Sequence, residues 1–135
     1  MLLDLELRLR PDALSPAEAR KTLEALRVSL DDEVVDDAAL LVSEIVSNSV
    51  RHAGLVETDA IEVRIRGSRS MLHVDVIDPG PGFELERMPM PGREGGWGLW
   101  ILDRLATRWG VERGDTTRVW FDLVGPVYAS VAAGT

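Results

Sequence analysis

The sequence predicts an α/β two-layer sandwich, with a mixed, mostly antiparallel sheet covered on one face by three helices. Three observations predict it. Apolar and charged residues alternate with period 2 in several short segments, as where Leu3, Leu5, Leu7 and Leu9 are set between Asp4, Glu6 and Arg8; a strand with one face buried reads this way. Other segments repeat their apolar residues at helical spacing, giving one wide apolar stripe each. Two of the alternating segments lie a tight turn apart, so the sheet contains a hairpin, and amphipathic helices then need only one of its faces.

In chain order, residues 2–9 form the first strand. Ser15-Pro16-Ala17-Glu18 has the form of a capping box with proline at the first helical position. Ala19, Leu23, Leu26 and Leu30 carry that helix to about Ser29. Asp31-Asp32 opens a second, longer helix, which Gly54 stops. Ile61, Val63 and Ile65 alternate with Glu62, Arg64 and Arg66, Gly67-Ser68 turns the chain, and Leu72, Val74 and Val76 return, so 60–78 reads as the hairpin. Residues 79–97 hold prolines at 79, 81, 89 and 91 and glycines at 80, 82, 92, 95 and 96. That composition makes an irregular loop, and loops of this length in a compact domain usually carry function. A helix runs from Gly98 to about Arg108, followed by strands near 109–113 and 117–124. Residues 1–124 thus form one domain, and the patternless tail 125–135 is expected to be poorly ordered.

Composition narrows the chemistry. A chain of 135 residues with 45% hydrophobic and 28% charged residues is ordinary globular material. It has no Cys, so disulfides, thiolate metal sites and cysteine nucleophiles are excluded. Its formal charge of −8 argues against direct nucleic-acid binding, which needs a cationic face. Lys21 is the sole lysine and no G-x-x-x-x-G-K-[ST] occurs, so a P-loop is excluded and phosphate must be held by backbone N–H groups, arginine or a metal. The N-terminal segment is charged from its fourth residue and no 18-residue apolar span follows, which predicts a soluble, cytoplasmic protein that does not enter a membrane.

Three segments carry candidate chemistry. On the second helix Glu44, Asn48 and Arg51 form an i, i+4, i+7 row beside the apolar face of Val35, Ala38, Leu41, Val42, Ile45, Val46 and Val50. A carboxylate one turn before an amide oxygen suits phosphoryl transfer, with the amide ligating Mg²⁺ and the carboxylate orienting or deprotonating a hydroxyl. Val76-Ile77-Asp78-Pro79-Gly80-Pro81-Gly82 places a carboxylate at a strand end beside residues that let a ligand approach the backbone. Such a carboxylate can accept from an exocyclic amine such as that of adenine. Glu94-Gly95-Gly96-Trp97-Gly98-Leu99 sets glycines before a helix, whose free N–H groups suit an anion. Each also has a plain structural reading: a solvated helix edge, an Asp-Pro-Gly turn, a glycine hinge.

Taken together, and in this order, the three segments resemble the boxes of the Bergerat-fold ATPases of the gyrase, histidine-kinase and MutL superfamily. More narrowly they resemble the anti-sigma-factor serine/threonine kinases of bacterial partner-switching systems. SEIVSNSVRHAG is similar to the N box, Asp78-Pro79-Gly80-Pro81-Gly82 to the first glycine box, Gly96-Trp97-Gly98-Leu99 to the second, and Thr117-Arg118-Val119-Trp120-Phe121 to the closing strand. The resemblance spans about residues 5–124. It implies ATP and Mg²⁺ as ligands, Glu44 as general base and Asn48 as the Mg²⁺ ligand. It also implies Asp78 against the adenine amine, with Gly80, Gly82 and Thr117 shaping that pocket. Gly95, Gly96, Trp97, Gly98 and Leu99 would line the phosphates under a lid of about 83–95. Arg51, His52, Arg87 and Arg93 are charged candidates near phosphate. Trp97, Trp100, Trp109 and Trp120 read as core or interface residues. The implied partners are a sigma factor, an anti-anti-sigma protein of the STAS type and a second copy in a homodimer. Two other functions fit the same boxes: a nucleotide-dependent binding module without turnover, and a stand-alone catalytic domain of histidine-kinase type.

Overall fold

Alternating leucines build the first strand, β1 (Leu3–Leu9), which turns them toward the core and leaves Asp4, Glu6 and Arg8 exposed. The computed structural model describes residues 2–52, 54–80 and 98–125, with side chains throughout except at His52, Gly98 and Leu99. The chain continues through α1 (Ser15–Ala25), a 3-10 turn (Leu26–Val28), α2 (Asp32–His52), β2 (Ile61–Ser68) and β3 (Met71–Asp78). It ends with α3 (Gly98–Leu105), β4 (Arg108–Arg113) and β5 (Thr117–Val124). The tail from 126 lies outside the described residues.

The five strands form one sheet in the order β1-β2-β3-β5-β4. The expectation of a mixed sheet is corrected, because every described pairing is antiparallel. The cause lies in the connections. The α1–α2 excursion returns the chain to the end where β1 stopped, so Leu9 faces Ile61. Short turns then join β2 to β3 and β4 to β5.

Helix α2 supplies most of the cover. Val35, Ala38, Leu41, Val42, Ile45 and Val46 are buried against Val63, Ile65, Leu72, Val74, Val76, Val119 and Phe121 of the sheet, with Ala19 and Leu23 of α1 closing one side. Burying each of the larger aliphatic side chains stabilises by roughly 1.5–3 kcal/mol. The hydrophobic stripe therefore fixes which way α2 rolls, and with it where its polar edge points.

Four local expectations are corrected. The capping box does not form: Leu14 is the N-cap and makes no side-chain cap bond. Ser15 is instead buried, with its hydroxyl donating to the Arg10 carbonyl, while Asp12 Oδ1 accepts from the Leu14 N–H at 2.8 Å. Helix α1 stops at Ala25 rather than Ser29, because a 3-10 turn bends the chain toward α2. There Arg27 holds Glu24 at 2.6 Å, Asp32 at 3.1 Å and also Asp36. The hairpin turn lies at Arg69-Ser70 rather than Gly67-Ser68. Gly67 is a strand residue, where a Cβ would lie 2.2 Å from the Met71 carbonyl oxygen. Gly54 stops α2 with φ +67°, the left-handed conformation glycine permits. The third helix ends at Leu105, short of Arg108.

The opposite sheet face carries charge instead of helices. Asp75 is only 3% exposed, ringed by Arg118 at 2.5 Å, His73 at 3.2 Å and Arg66 at 3.7 Å. His73 also meets Asp122 at 2.6 Å and stacks on Trp120 with centroids 5.9 Å apart. Trp120 lies flat because Gly110 on β4 has no side chain; a Cβ there would sit 2.7 Å from the indole nitrogen. Trp109 packs against the core, as does Trp100 with Arg104 over its ring. No described helix is long and apolar enough to cross a membrane.

Candidate functional site

Because the apolar stripe of α2 faces the sheet, the row Glu44, Asn48, Arg51 falls along the edge of that contact. Glu44 is half-buried and Arg51 exposed, and neither makes a hydrogen bond or ion pair among the described residues. Asn48 is 3% exposed, and its carboxamide oxygen Oδ1 is buried with no hydrogen-bond partner among the described residues. An unpaired buried oxygen costs about 1–3 kcal/mol and is rare in native proteins.

The residue after Asn48 was not legible as a site residue from its motif. Ser49 points inward at 3% exposure, and its hydroxyl donates to Asp78 Oδ2 at 2.7 Å. The signal for it was present. Ser49 follows Val42 and Ile45 at the helical repeat, so a polar side chain stands where the stripe asks for an apolar one.

Asp78 ends β3 and is 4% exposed. Its other oxygen, Oδ1, accepts from the Gly80 N–H at 2.9 Å. The Gly80 carbonyl in turn accepts from Thr117 Oγ1 at 3.0 Å, and Thr117 is the register partner of Asp78 on β5. A continuous chain of bonds therefore runs from α2 through Ser49, Asp78 and Gly80 to β5. Burial pushes the Asp78 carboxyl up from its ordinary value, and the Ser49 hydroxyl and Gly80 amide partly oppose that rise. The root of the 79–97 loop is thus tied on both sides of the Gly80 peptide.

The structure brings Asn48, Asp78, Gly80 and Thr117 to the end of the sheet where β3 stops and β5 starts, below the C-terminal half of α2. Gly98 opens α3, which packs against α2. Gly82, Gly95, Gly96, Trp97, the lid 83–95 and its Arg87 and Arg93 lie outside the described residues, as do the side chains of His52 and Leu99.

The residues present fit a Mg²⁺–nucleotide ligand. The free Asn48 oxygen is the hard, neutral donor that Mg²⁺ accepts, and Asp78 retains lone pairs beyond its two bonds for an amine. Among the described residues no three carboxylate or imidazole groups converge as a metal cage. A cation held at Asn48 would draw its remaining oxygens from phosphates and water, the usual arrangement for Mg²⁺.

Residues 7–122 match the histidine kinase-like ATPase domain. The chain is similar to a crystal structure of the RsbU and RsbW domains of Rv1364c from Mycobacterium tuberculosis, with TM-score 0.66 and 18% identity over 91% of this chain and 33% of that one. It is also similar to the histidine kinase domain of the blue-light activated histidine kinase EL346 from Erythrobacter litoralis, with TM-score 0.52 and 25% identity over 75% of this chain and 49% of that one. The chain therefore corresponds to a third of the first structure and about half of the second. No curated protein sequence matches it. With most of its length inside the matched region, this chain belongs to the histidine kinase-like ATPase domain family.

Proposed function

We propose that the chain is an ATP-binding kinase module of the anti-sigma type, which phosphorylates a Ser or Thr of an antagonist protein and retains a sigma factor in alternation with it. Family membership implies ATP binding. The observation that carries the site is the buried, unpartnered oxygen of Asn48, one residue from the Ser49–Asp78 bond. Asp78 would accept from the adenine amine, with Gly80, Gly82 and Thr117 shaping the pocket around the base. The phosphates would lie toward the start of α3, where Gly95, Gly96, Trp97, Gly98 and Leu99 would offer N–H groups at the positive end of a helix dipole. Arg51 and His52 follow Asn48 on the same helix and would lie near them. Mg²⁺, when bound, would be held by Asn48 and would neutralise phosphate charge.

Glu44 lies four residues before Asn48, about 6 Å along the helix axis, and its carboxylate has no competing partner among the described residues. It would take the proton of the attacking hydroxyl as that oxygen bonds to the γ-phosphorus and ADP departs. An antagonist of the STAS type would supply the hydroxyl. This reading places the protein in the cytoplasm beside the transcription machinery, without contact to nucleic acid of its own, and admits a homodimer.

The test uses γ-labelled Mg-ATP with candidate antagonist domains. Acid-stable phosphate should appear on the antagonist and fall by roughly 10²–10⁴-fold with Glu44→Ala. Transfer that survives Glu44→Ala refutes the base. Acid-labile phosphate would identify a histidine acceptor instead, and nucleotide-dependent capture of a partner with no phosphoprotein would identify a binding module without turnover.

A further inference from the structure

We infer that Ser49 is a positioning residue of this site: by holding Asp78 Oδ2, it aims the carboxylate's remaining lone pairs at the base and so sets the preference for an aminopurine over an oxopurine. The inference rests on the nucleotide reading of the site and adds a residue that the box pattern leaves unassigned. Its foundation is geometric. Ser49 and Asp78 are both buried, and the bond between them is 2.7 Å. Oδ1 is fixed separately by Gly80 at 2.9 Å. Asp78 has one rotatable side-chain plane, and two donors on opposite oxygens lock it. A locked carboxylate accepts from the amine of adenine and repels the O6 acceptor of guanine.

Among the described residues no charged side chain performs this task. Arg8, Asp59 and Glu62 line a recess of about 370 Å³ that also touches Asp78, and none bonds to it. Glu44 and Arg51 on α2 make no bond to it either, among the described residues. Among the described residues, Ser49 is thus the one side chain that both fixes Asp78 and supports its charged form, against the burial that favours the neutral one. A protonated Asp78 would carry an O–H donor, which suits the guanine O6. Losing the Ser49 hydroxyl should therefore weaken ATP and relax selectivity together, most of all toward acid pH.

The experiment compares wild type, Ser49→Ala and Ser49→Thr by calorimetry with Mg-ATP and Mg-GTP from pH 5 to 8. NMR titration of the Asp78 carboxyl carbon in each free protein accompanies it. With Ser49→Ala, ATP affinity should fall on the order of 10-fold or more, the ATP-to-GTP ratio should narrow, and the Asp78 midpoint should rise. Ser49→Thr, which keeps the hydroxyl, should restore all three. An Asp78 midpoint and a nucleotide ratio that are the same in Ser49→Ala and wild type would overturn the inference and leave Ser49 a packing residue. If the midpoint moves as expected but wild type binds no nucleotide, the Ser49–Asp78 coupling stands and the nucleotide reading of the site falls.

Discussion

Replacing Asp78 with Asn separates what this carboxylate does for the fold from what it does for a ligand. The change is isosteric. Asn Oδ1 can keep the Gly80 N–H, and its NH₂ can donate to Ser49, whose hydroxyl then turns to accept. For stability, the sign follows from burial. The folded carboxyl titrates above its unfolded value, so stability is fully present below the unfolded value and is lost as pH rises through the folded one. Asp78→Asn removes that loss. The variant should therefore be more thermally stable than wild type at pH 7–8, with the gap closing as pH falls toward the ordinary carboxyl range.

For binding, the variant turns a donor toward the amine. The lost interaction is a hydrogen bond to a charged acceptor, worth about 1.5–3 kcal/mol, so ATP should bind roughly 10- to 150-fold more weakly. Thermal melts across pH and calorimetry at pH 7.5 measure the two effects separately. A variant that is less stable at neutral pH by the same amount as at acid pH, or that binds ATP as wild type does, would refute the assignment of Asp78.

Further predictions concern the scaffold. Phe121→Ala empties a fully buried ring site on β5 in the core, and denaturant unfolding should show a loss of about 3–5 kcal/mol. Gly67→Ala should cost about 1–3 kcal/mol, because the new Cβ meets backbone at 2.2 and 3.0 Å across the hairpin. Gly114→Ala, with nothing within 4 Å, should stay within about 0.5 kcal/mol of wild type in the same assay.

Much of the fold was legible because one physical signal, the period of the apolar residues, decides which face is buried. It placed β1, the β2–β3 hairpin and the inward face of α2, and through that face the Glu44–Asn48–Arg51 edge. Signals that depend on partners distant in sequence were not legible. Ser15-Pro16-Ala17-Glu18 satisfies the capping pattern, yet the Arg10 carbonyl and Asp12 engage Ser15 instead. Asp75 alternates as a solvent-facing residue, and only the assembled sheet shows arginines from two other strands closing over it. The site divides in the same way. Asp78 and Asn48 stand out by type and position, whereas Ser49 and the Thr117–Gly80 bond exist only once α2, β3 and β5 are side by side.

The central claim is that a nucleotide binds where the Asn48 oxygen is left unpaired. Calorimetric titration of an ATP analogue into wild type and Asn48→Ala, each with and without Mg²⁺, tests it most directly. Wild type should bind with one site per chain and more tightly when Mg²⁺ is present, and Asn48→Ala should lose the Mg²⁺-dependent gain. No binding by wild type, or a Mg²⁺ gain that Asn48→Ala keeps in full, would contradict it.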